Sequence, residues 1–178
     1  MAKEMPPEEK SAMVTLLKEF WDVFAWSYED MCGLGPQLYQ HQIHLSKDVK
    51  PVAQRCYWIN PNYVAKVKKE IDKLLRVGFI QPVKKATWLS LIVVVPKKNG
   101  KMRVYVDYRK VNAATVTDAF PRLFTDGVLD MVASHKVYNF IHGFSGYNQI
   151  RMHPEDQEKT VFMTGWGVFC SNRNDVRT

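Results

Sequence analysis

The chain has 178 residues, of which 46% are hydrophobic and 24% are charged. This apolar content is enough to bury a core, for one domain or two small ones, and it argues against an intrinsically disordered chain. The formal net charge of +7 favours an anionic partner, nucleic acid first and an acidic membrane second, although a basic protein without such a partner fits the charge equally well.

The number of cysteines and the length of the apolar runs indicate the cellular compartment. The three cysteines (Cys32, Cys56 and Cys170) are odd in number and widely spaced, which predicts reduced thiols rather than disulfides or a metal-ligand pair. The apolar run Ser90–Pro96 is far shorter than the roughly 18 residues that a membrane span needs. We therefore expect an intracellular protein, cytoplasmic or nuclear, with no signal peptide or transmembrane segment.

The first predicted element is a helix from Glu9 to about Ala25, because apolar residues recur there at helical spacing. They are Met13, Leu16, Leu17, Phe20, Trp21 and Phe24. Glycines and a proline between positions 28 and 40 indicate a loop. Weak alternation over His41–Leu45 predicts an edge strand, and its two histidines are spaced unlike metal ligands, so we expect them at the surface.

A second helix is predicted to begin at Asn60-Pro61, since asparagine is a good N-cap and proline suits the first helical position. Gly78 should end it in the left-handed conformation. Its inward residues are predicted to be Val64, Val67, Ile71, Leu74 and Leu75, with Lys66, Lys68, Lys69 and Lys73 on the other face. A solvated lysine face is favoured there over a phosphate-binding one.

A β-hairpin should follow, with strands Leu91–Val95 and Met102–Tyr108. Its turn contains Asn99-Gly100, a pair that tolerates positive φ and favours tight hairpins. Thr125 is then predicted to cap a short helix through Val128, Leu129 and Val132.

The last third of the chain is predicted to contain a buried strand over Lys136–Ile141, then a turn leading into a helix-like segment over Gly143–Ile150. Two further strands, Lys159–Met163 and Val168–Cys170, should flank the turn at 165–167. Helices and strands are thus segregated rather than alternating, which indicates an α+β fold.

Five segments, taken in order, resemble parts of one protein family. They are FWDVFAWSYEDM (20–31), KPVAQRCYWINP (50–61), LLRVGFIQP (74–82), VVVPKKNGKMRVYVDYRKVNAATVTDAFP (93–121) and GFSGYNQIRMHPEDQEKTVFMT (143–164). Together they resemble the gypsy-type LTR retrotransposon reverse transcriptases of plants, from the connector through the fingers to the first half of the palm.

The resemblance implies an α+β unit made of the fingers and a partial palm of a right-hand polymerase. The implied regions are an N-terminal connector with a helix (1–45), a fingers-like region (46–135), a partial palm (136–170) and a divergent tail (171–178). The resemblance ceases near Arg173, as a frameshift or premature stop would produce.

The same resemblance raises a question about activity. In the intact family Mg²⁺ is held by three carboxylates, one at the position of His142 and two in a Tyr-x-Asp-Asp hairpin, and this sequence contains no Asp-Asp pair. Imidazole is a poor ligand for Mg²⁺, and we do not expect Asp107, Asp126 or Asp130 to substitute. The sequence predicts an RNA-directed DNA polymerase by descent that is catalytically inactive and holds no cofactor.

Other site residues are implied by position in the family pattern. Lys97 and Arg103 match residues that grip the incoming triphosphate, and Ser145, Gly146 and Tyr147 match the turn and aromatic gate beside it. Solvated charges and a core tyrosine are the alternatives. Gln149 and Arg151 match nucleic-acid contacts, or else lie on a strand surface.

Two structural expectations complete the pattern. Arg109 should brace the hairpin through Asp107. The tryptophans at 58, 88 and 166 should lie in the core or at its rim rather than stack on bases.

Besides an inactive polymerase, the sequence leaves two other functions open. The chain could be a non-catalytic module that binds an RNA or DNA template-primer through its basic fingers. It could also be an interaction subunit that complements an intact polymerase. Neither reading requires a membrane.

Overall fold

The computed structural model describes residues 5–55, 57–96, 102–117, 119, 124–133, 138 and 143–174. Two compact units divide the chain, Met1–Cys32 and Gly33–Thr178. The region boundaries at 45, 135 and 170 are different divisions, based on the family pattern, and they stay predictions.

The first unit contains helix α1 (Pro7–Glu19) and a 3₁₀ turn (Trp21–Val23). The helix expected to reach Ala25 therefore ends six residues earlier, and none of its residues is buried. The rings of Trp21 and Trp26 stack with centroids 4.1 Å apart. The Asp30 carboxylate accepts the backbone N–H groups of Trp26 and Ser27, which lowers its pKa.

The second unit begins its regular structure with a two-stranded parallel sheet, β1 (Gln40–His41) and β5 (Arg151–Met152). The strand predicted over His41–Leu45 is thus shorter and shifted, because only its first residue pairs with β5. Leu45 forms an isolated bridge with Thr115 instead. His41 is half-buried rather than at the surface, while His44 is exposed.

Helix α2 (Pro61–Arg76) confirms the prediction of its start and end. The Asn60 side chain accepts the N–H of Asn62 at 3.0 Å, and Gly78 has φ +70°. Val67 and Ile71 are buried, whereas Val64 is 36% exposed. After Gly78 the chain enters a short strand, β2 (Ile80–Pro82), that the sequence did not predict.

Strands β3 (Ser90–Pro96) and β4 (Met102–Val106) form the expected antiparallel hairpin, in register from Ile92↔Val106 to Pro96↔Met102. The turn between them, with Asn99-Gly100, lies outside the described residues. Helix α3 (Arg109–Ala114) follows directly and was not predicted.

Helix α4 (Thr125–Val132) lies where a short helix was expected, but Thr125 is not its cap. The N-cap is Phe124, and no side chain there accepts a helical N–H. The strand predicted over Lys136–Ile141 falls almost wholly outside the described residues, which include only Tyr138 of that segment. The predicted turn at Gly143 does lead into a 3₁₀ helix, Gly146–Gln149.

Strands β6 (Phe162–Thr164) and β7 (Gly167–Ser171) flank the expected turn. Lys159 and Thr160 belong instead to a 3₁₀ helix, Pro154–Thr160. The five-stranded sheet has the order β2-β7-β6-β3-β4, with β3 and β6 parallel and the other pairs antiparallel. Strands from the middle of the chain (β2 and β3) and from its last quarter (β6 and β7) are therefore neighbours in one sheet.

Two clusters of buried residues form the core of the second unit. One consists of Ile43, Trp88, Tyr108, Val111, Ala114 and Met152. The other consists of Val67, Ile71, Ile80, Ile92, Phe162 and Phe169. Val106 packs against both clusters, so the two cores are joined through β4.

Two of the cysteines fall within the described residues, and both are free: Cys32 is exposed and Cys170 is buried. Burial raises the pKa of the Cys170 thiol. Among the described helices, none has the length and apolar character needed to cross a bilayer.

Candidate nucleic-acid interface

Arg103 lies on the β3–β4 hairpin. It pairs with Val95 across the two strands, and its side chain is exposed. Its Nη1 donates to the hydroxyl of Tyr105, 3.3 Å away and two residues along the same strand. Residues i and i+2 of a strand share a face, so the guanidinium is presented beside an aromatic ring. Lys97, its predicted companion, lies outside the described residues.

Arg109 braces the end of β4 as the sequence predicted. Its Nε and Nη2 each donate to one carboxylate oxygen of Asp107, both at 2.7 Å. This fork holds the pKa of Asp107 below its usual value, chiefly through the side-chain hydrogen bond from Arg109. A carboxylate engaged in this way is a poor candidate for holding a metal ion.

The turn at Ser145 begins with a left-handed residue, φ 45° and ψ 46°. The Asn148 side chain donates to Ser145 Oγ at 2.8 Å, and the Asn148 backbone N–H donates to the Ser145 carbonyl at the same distance. These bonds stabilise a conformation that a serine rarely adopts. A Cβ added to Gly146 would meet no atom within 4 Å, so space is open in front of this turn.

Tyr147 is 56% exposed, which excludes the alternative that it is a core tyrosine. Gln149 is used within the turn itself, since its Nε2 donates to the Phe144 carbonyl at 3.0 Å and its own carbonyl accepts from Leu34 at 2.8 Å. Arg151 follows on β5 and is exposed. The structure thus places Ser145, Gly146 and Tyr147 in one turn, with Arg103 on a separate hairpin.

The three singled-out tryptophans have different environments. Trp88 is buried in the core at 3% exposure, Trp166 is 38% exposed, and Trp58 is 98% exposed. Trp58 and Trp166 line a mostly apolar cleft of about 450 Å³ beside α2. Lys68 Nζ lies 6.0 Å from the Trp166 ring centroid. The expectation of core or rim positions is correct for two of the three and wrong for Trp58.

No cluster of three histidine, cysteine, aspartate or glutamate side chains that could hold a metal ion occurs within the described residues. Asp126 and Asp130 are exposed on α4. His142, which the sequence resemblance predicts to stand at the position of the family's first metal-binding aspartate, lies outside the described part of the chain.

Sequence reasoning missed the pair of side chains that holds the backbone of Ile43, two residues after the end of β1. The Asp156 carboxylate accepts the Ile43 N–H at 2.9 Å, while Lys159 Nζ donates to the Ile43 carbonyl at 2.7 Å and forms an ion pair with Asp156. The i, i+3 spacing of an acid and a base was the available signal, but a surface pair has the same spacing. The contact of both side chains with the backbone of the buried Ile43 is what distinguishes this pair from a surface pair.

Known proteins give the context for this geometry. No family model matches the chain. The Pol polyprotein of transposon 412 from Drosophila melanogaster is 27% identical over 97% of this chain. The Pol polyprotein of transposon gypsy, from the same organism, is 30% identical over 68% of it. The chain spans only 14% and 12% of those two polyproteins.

Solved structures show the same fold. The foamy viral protease-reverse transcriptase dRH in complex with dsDNA matches 96% of this chain with a TM-score of 0.73 and 24% identity, and the chain covers 30% of it. The enzyme in complex with RNA/DNA hybrid matches with a TM-score of 0.66 and 20% identity, and the chain covers 22% of it.

These findings confirm the α+β reverse transcriptase fold, while the relatives named here are from an insect and do not support the plant source suggested by the sequence pattern. The chain is a homologue of the retrovirus-related Pol polyproteins of gypsy-type and related transposons, and its fold is that of the matching part of a reverse transcriptase.

Proposed function

We propose that this chain is a segment of the reverse transcriptase lineage, an RNA-directed DNA polymerase by descent, that does not itself add nucleotides. The fold match over 96% of the chain supports the descent. The main support for inactivity is the identity of residue 142. It is a histidine, at the position where the family has its first metal-binding aspartate.

The physical reason lies in the ligands that the reaction requires. Mg²⁺, when bound in such enzymes, stabilises the attacking and leaving oxygens of the nucleotidyl transfer. Because Mg²⁺ is a hard ion, it prefers carboxylate and other oxygen ligands to imidazole nitrogen. A protonated imidazole also repels the cation. Asp107 is already engaged by Arg109, and no other described acidic side chain belongs to a metal-binding cluster.

A primer-extension assay with the purified 178-residue chain tests this proposal. We expect no extension of a primed template with Mg²⁺ or Mn²⁺, in conditions where an active reverse transcriptase extends it. Metal-dependent extension by the chain would overturn the proposal.

Metal binding provides a second readout that does not depend on turnover. Mn²⁺ binding, followed by water-proton relaxation, should be the same for the wild-type chain and for His142→Ala, and should increase in His142→Asp. Tighter Mn²⁺ binding by the wild type than by His142→Ala would show that the imidazole does hold the ion, and would remove the basis of the argument.

A second function is favoured by charge and exposure, namely that the chain is a nucleic-acid-binding module. The net charge is +7, Arg103 and Tyr147 are exposed, and four lysines on α2 (Lys66, Lys68, Lys69 and Lys73) are exposed as well. The similar foamy viral enzyme is known in complex with dsDNA and with RNA/DNA hybrid. We propose a template-primer duplex as the ligand class.

Salt-dependent fluorescence anisotropy distinguishes this module from a merely basic protein. Binding to phosphates releases counterions, so affinity for a labelled RNA/DNA hybrid should fall steeply between 50 and 200 mM salt. Arg103→Gln should weaken binding and reduce the salt slope by about 1. Lys18→Gln, the same charge change at an exposed position near the end of α1, is the control. Affinity that does not respond to salt would contradict the proposal.

The reading as a non-catalytic partner of an intact polymerase stays a prediction, and co-purification with such a polymerase would test it. The expected cytoplasmic or nuclear location likewise stays a prediction.

A further inference from the structure

A polar pocket of about 360 Å³ lies where β1, β2 and β5 meet the segment that follows β7. Six of its lining residues have amide or guanidinium side chains: Gln40, Gln81, Arg151, Gln157, Asn172 and Arg173. Among the described residues that line it, none is acidic. This described lining is therefore rich in hydrogen-bond donors and carries positive charge.

The two arginines face each other across a backbone bridge between Arg151 and Arg173. Neither forms an ion pair with an acidic side chain within the described residues. The pKa of Arg173 is lowered, first by burial and then by the charge of Arg151. Like charges placed opposite each other on neighbouring strands are destabilising, so this arrangement costs free energy unless an anion lies between the two groups.

One unsatisfied donor also supports an anion site. Nη1 of Arg173 is buried and has no hydrogen-bond partner among the described residues. Gln81 Nε2 donates to Gln157 Oε1 at 2.8 Å, and Asn172 Nδ2 donates to the Gly78 carbonyl at 3.1 Å. These bonds hold the amide side chains of the wall in fixed positions. A wall that is already ordered loses little entropy when a ligand binds.

We propose that this pocket binds a phosphate-type oxyanion between the guanidinium groups of Arg151 and Arg173. Phosphate suits the site because its several oxygens accept the forked hydrogen bonds that guanidinium groups donate, and because its charge near −2 matches two cations. The volume of the pocket admits inorganic phosphate or a small phosphate monoester.

This site goes beyond the proposed function, because it requires neither a metal ion nor the Arg103 hairpin. The sequence pattern predicted Arg151 as a nucleic-acid contact, but Arg173 lies where the family resemblance ceases. The only sequence signal for it was the polar triplet Asn172-Arg173-Asn174, which directly follows an apolar strand.

Thermal unfolding of the full chain with inorganic phosphate, at ionic strength matched with chloride, tests the proposal. We expect the Tm to rise with phosphate by about 5–10 °C at 100 times Kd. Arg151→Gln, at an exposed position, should fold and lose at least tenfold in phosphate affinity, and Arg151→Lys should lose less. Arg55→Gln, an exposed arginine outside the pocket, should keep the full effect.

Two results would overturn the proposal: no phosphate-specific rise over chloride, or a rise that Arg151→Gln retains. Oligonucleotides identify the source of the phosphate. Competition by a 5′-phosphorylated oligonucleotide but not its 5′-hydroxyl form supports a terminal monoester, competition by both supports a backbone diester, and competition by neither supports free phosphate. Arg103→Gln should weaken hybrid binding and leave the phosphate effect unchanged, so the two proposals can fail separately.

Discussion

Tyr108 illustrates how one side chain connects segments that are distant in the sequence. It is 4% exposed, and its hydroxyl donates to the Thr160 carbonyl at 3.0 Å and lies 3.3 Å from Ser171 Oγ. The end of β4 is thereby tied to the 3₁₀ helix before β6 and to the end of β7.

Tyr108→Phe removes this hydroxyl while it keeps the buried ring. We expect the free energy of unfolding to fall by about 1–2 kcal/mol, because the Thr160 carbonyl is left buried without this donor. Urea denaturation measures the change. Tyr39→Phe, at a position that is 53% exposed, should change stability by less than about 0.5 kcal/mol, and an equal loss in both variants would contradict the role of Tyr108.

His41 should make stability depend on pH. Burial, the largest effect, lowers the pKa of His41; the charge of Asp156 raises it by a smaller amount, and the nearby His44 lowers it slightly further. The folded chain then resists protonation of His41, whereas the unfolded chain binds the proton near pH 6.5. Below that pH the unfolded state binds more protons, so stability declines as the pH falls from 7 towards the lowered folded pKa.

His41→Gln should flatten this decline between pH 7 and pH 5. Urea denaturation at several pH values measures the slope, and His44→Gln, at an exposed position, is the matched control that should keep most of it. An identical decline in wild type and His41→Gln would show that another group is responsible.

Some roles of individual residues could be predicted from the sequence and others could not. The Asp107–Arg109 brace was predictable because the two partners lie only two residues apart, at the junction between β4 and α3. The prediction that Thr125 caps α4 was wrong. A good capping residue is used as a cap only if the helix begins directly after it, and here the N-cap is Phe124. The exposure of Tyr147 depends on the conformation of Ser145, which composition does not reveal.

At the scale of elements, helix α2 was predictable because its signals are local: a cap, a first-turn proline, an apolar stripe and a terminal glycine. Strands β1 and β2 have two and three residues. Strands this short are stabilised by pairing with their partner strands rather than by a local sequence pattern. β2 pairs with β7, about 90 positions away, so no local pattern encodes it.

Gly78 and Gly127 offer a matched test of this local encoding. An added Cβ meets no atom within 4 Å at either position, but only Gly78 has a positive φ, +70°. Gly78→Ala should lower the free energy of unfolding by about 1 kcal/mol through backbone strain. Gly127→Ala lies inside α4 and should raise it by about 0.5–1 kcal/mol through helix propensity. Thermal unfolding that shifts in the same direction for both would contradict the assignment.

At the scale of the whole molecule, the two buried clusters should unfold together because Val106 packs against both. Val67 and Val111 are each 0% exposed, one in each cluster. Val67→Ala and Val111→Ala should each cost about 1–2 kcal/mol, the lost methyl burial being partly offset by the helix preference of alanine. Both should lower the midpoint of one shared transition.

Circular dichroism and tryptophan fluorescence, recorded during the same denaturation, provide the check. The exposed Val116→Ala, at 57% exposure, is the control and should have little effect. Two separate transitions, one sensitive to each substitution, would show that the clusters are independent. The sequence predicted that Val67 and Ile71 of α2 are buried. It did not predict how their cluster joins the other one, because that requires the strand order.

The strand order also has a consequence for how the chain folds during translation. β6 and β7 lie in the middle of the five-stranded sheet, yet the ribosome makes them after all the other strands of that sheet. β3 lacks one of its two neighbours until position 164 has emerged, and β2 has no partner strand until position 171 has emerged. The nascent polypeptide therefore exposes unpaired strand edges from the synthesis of β2 until that of β7, and a chaperone that shields such edges should increase its yield in the cell.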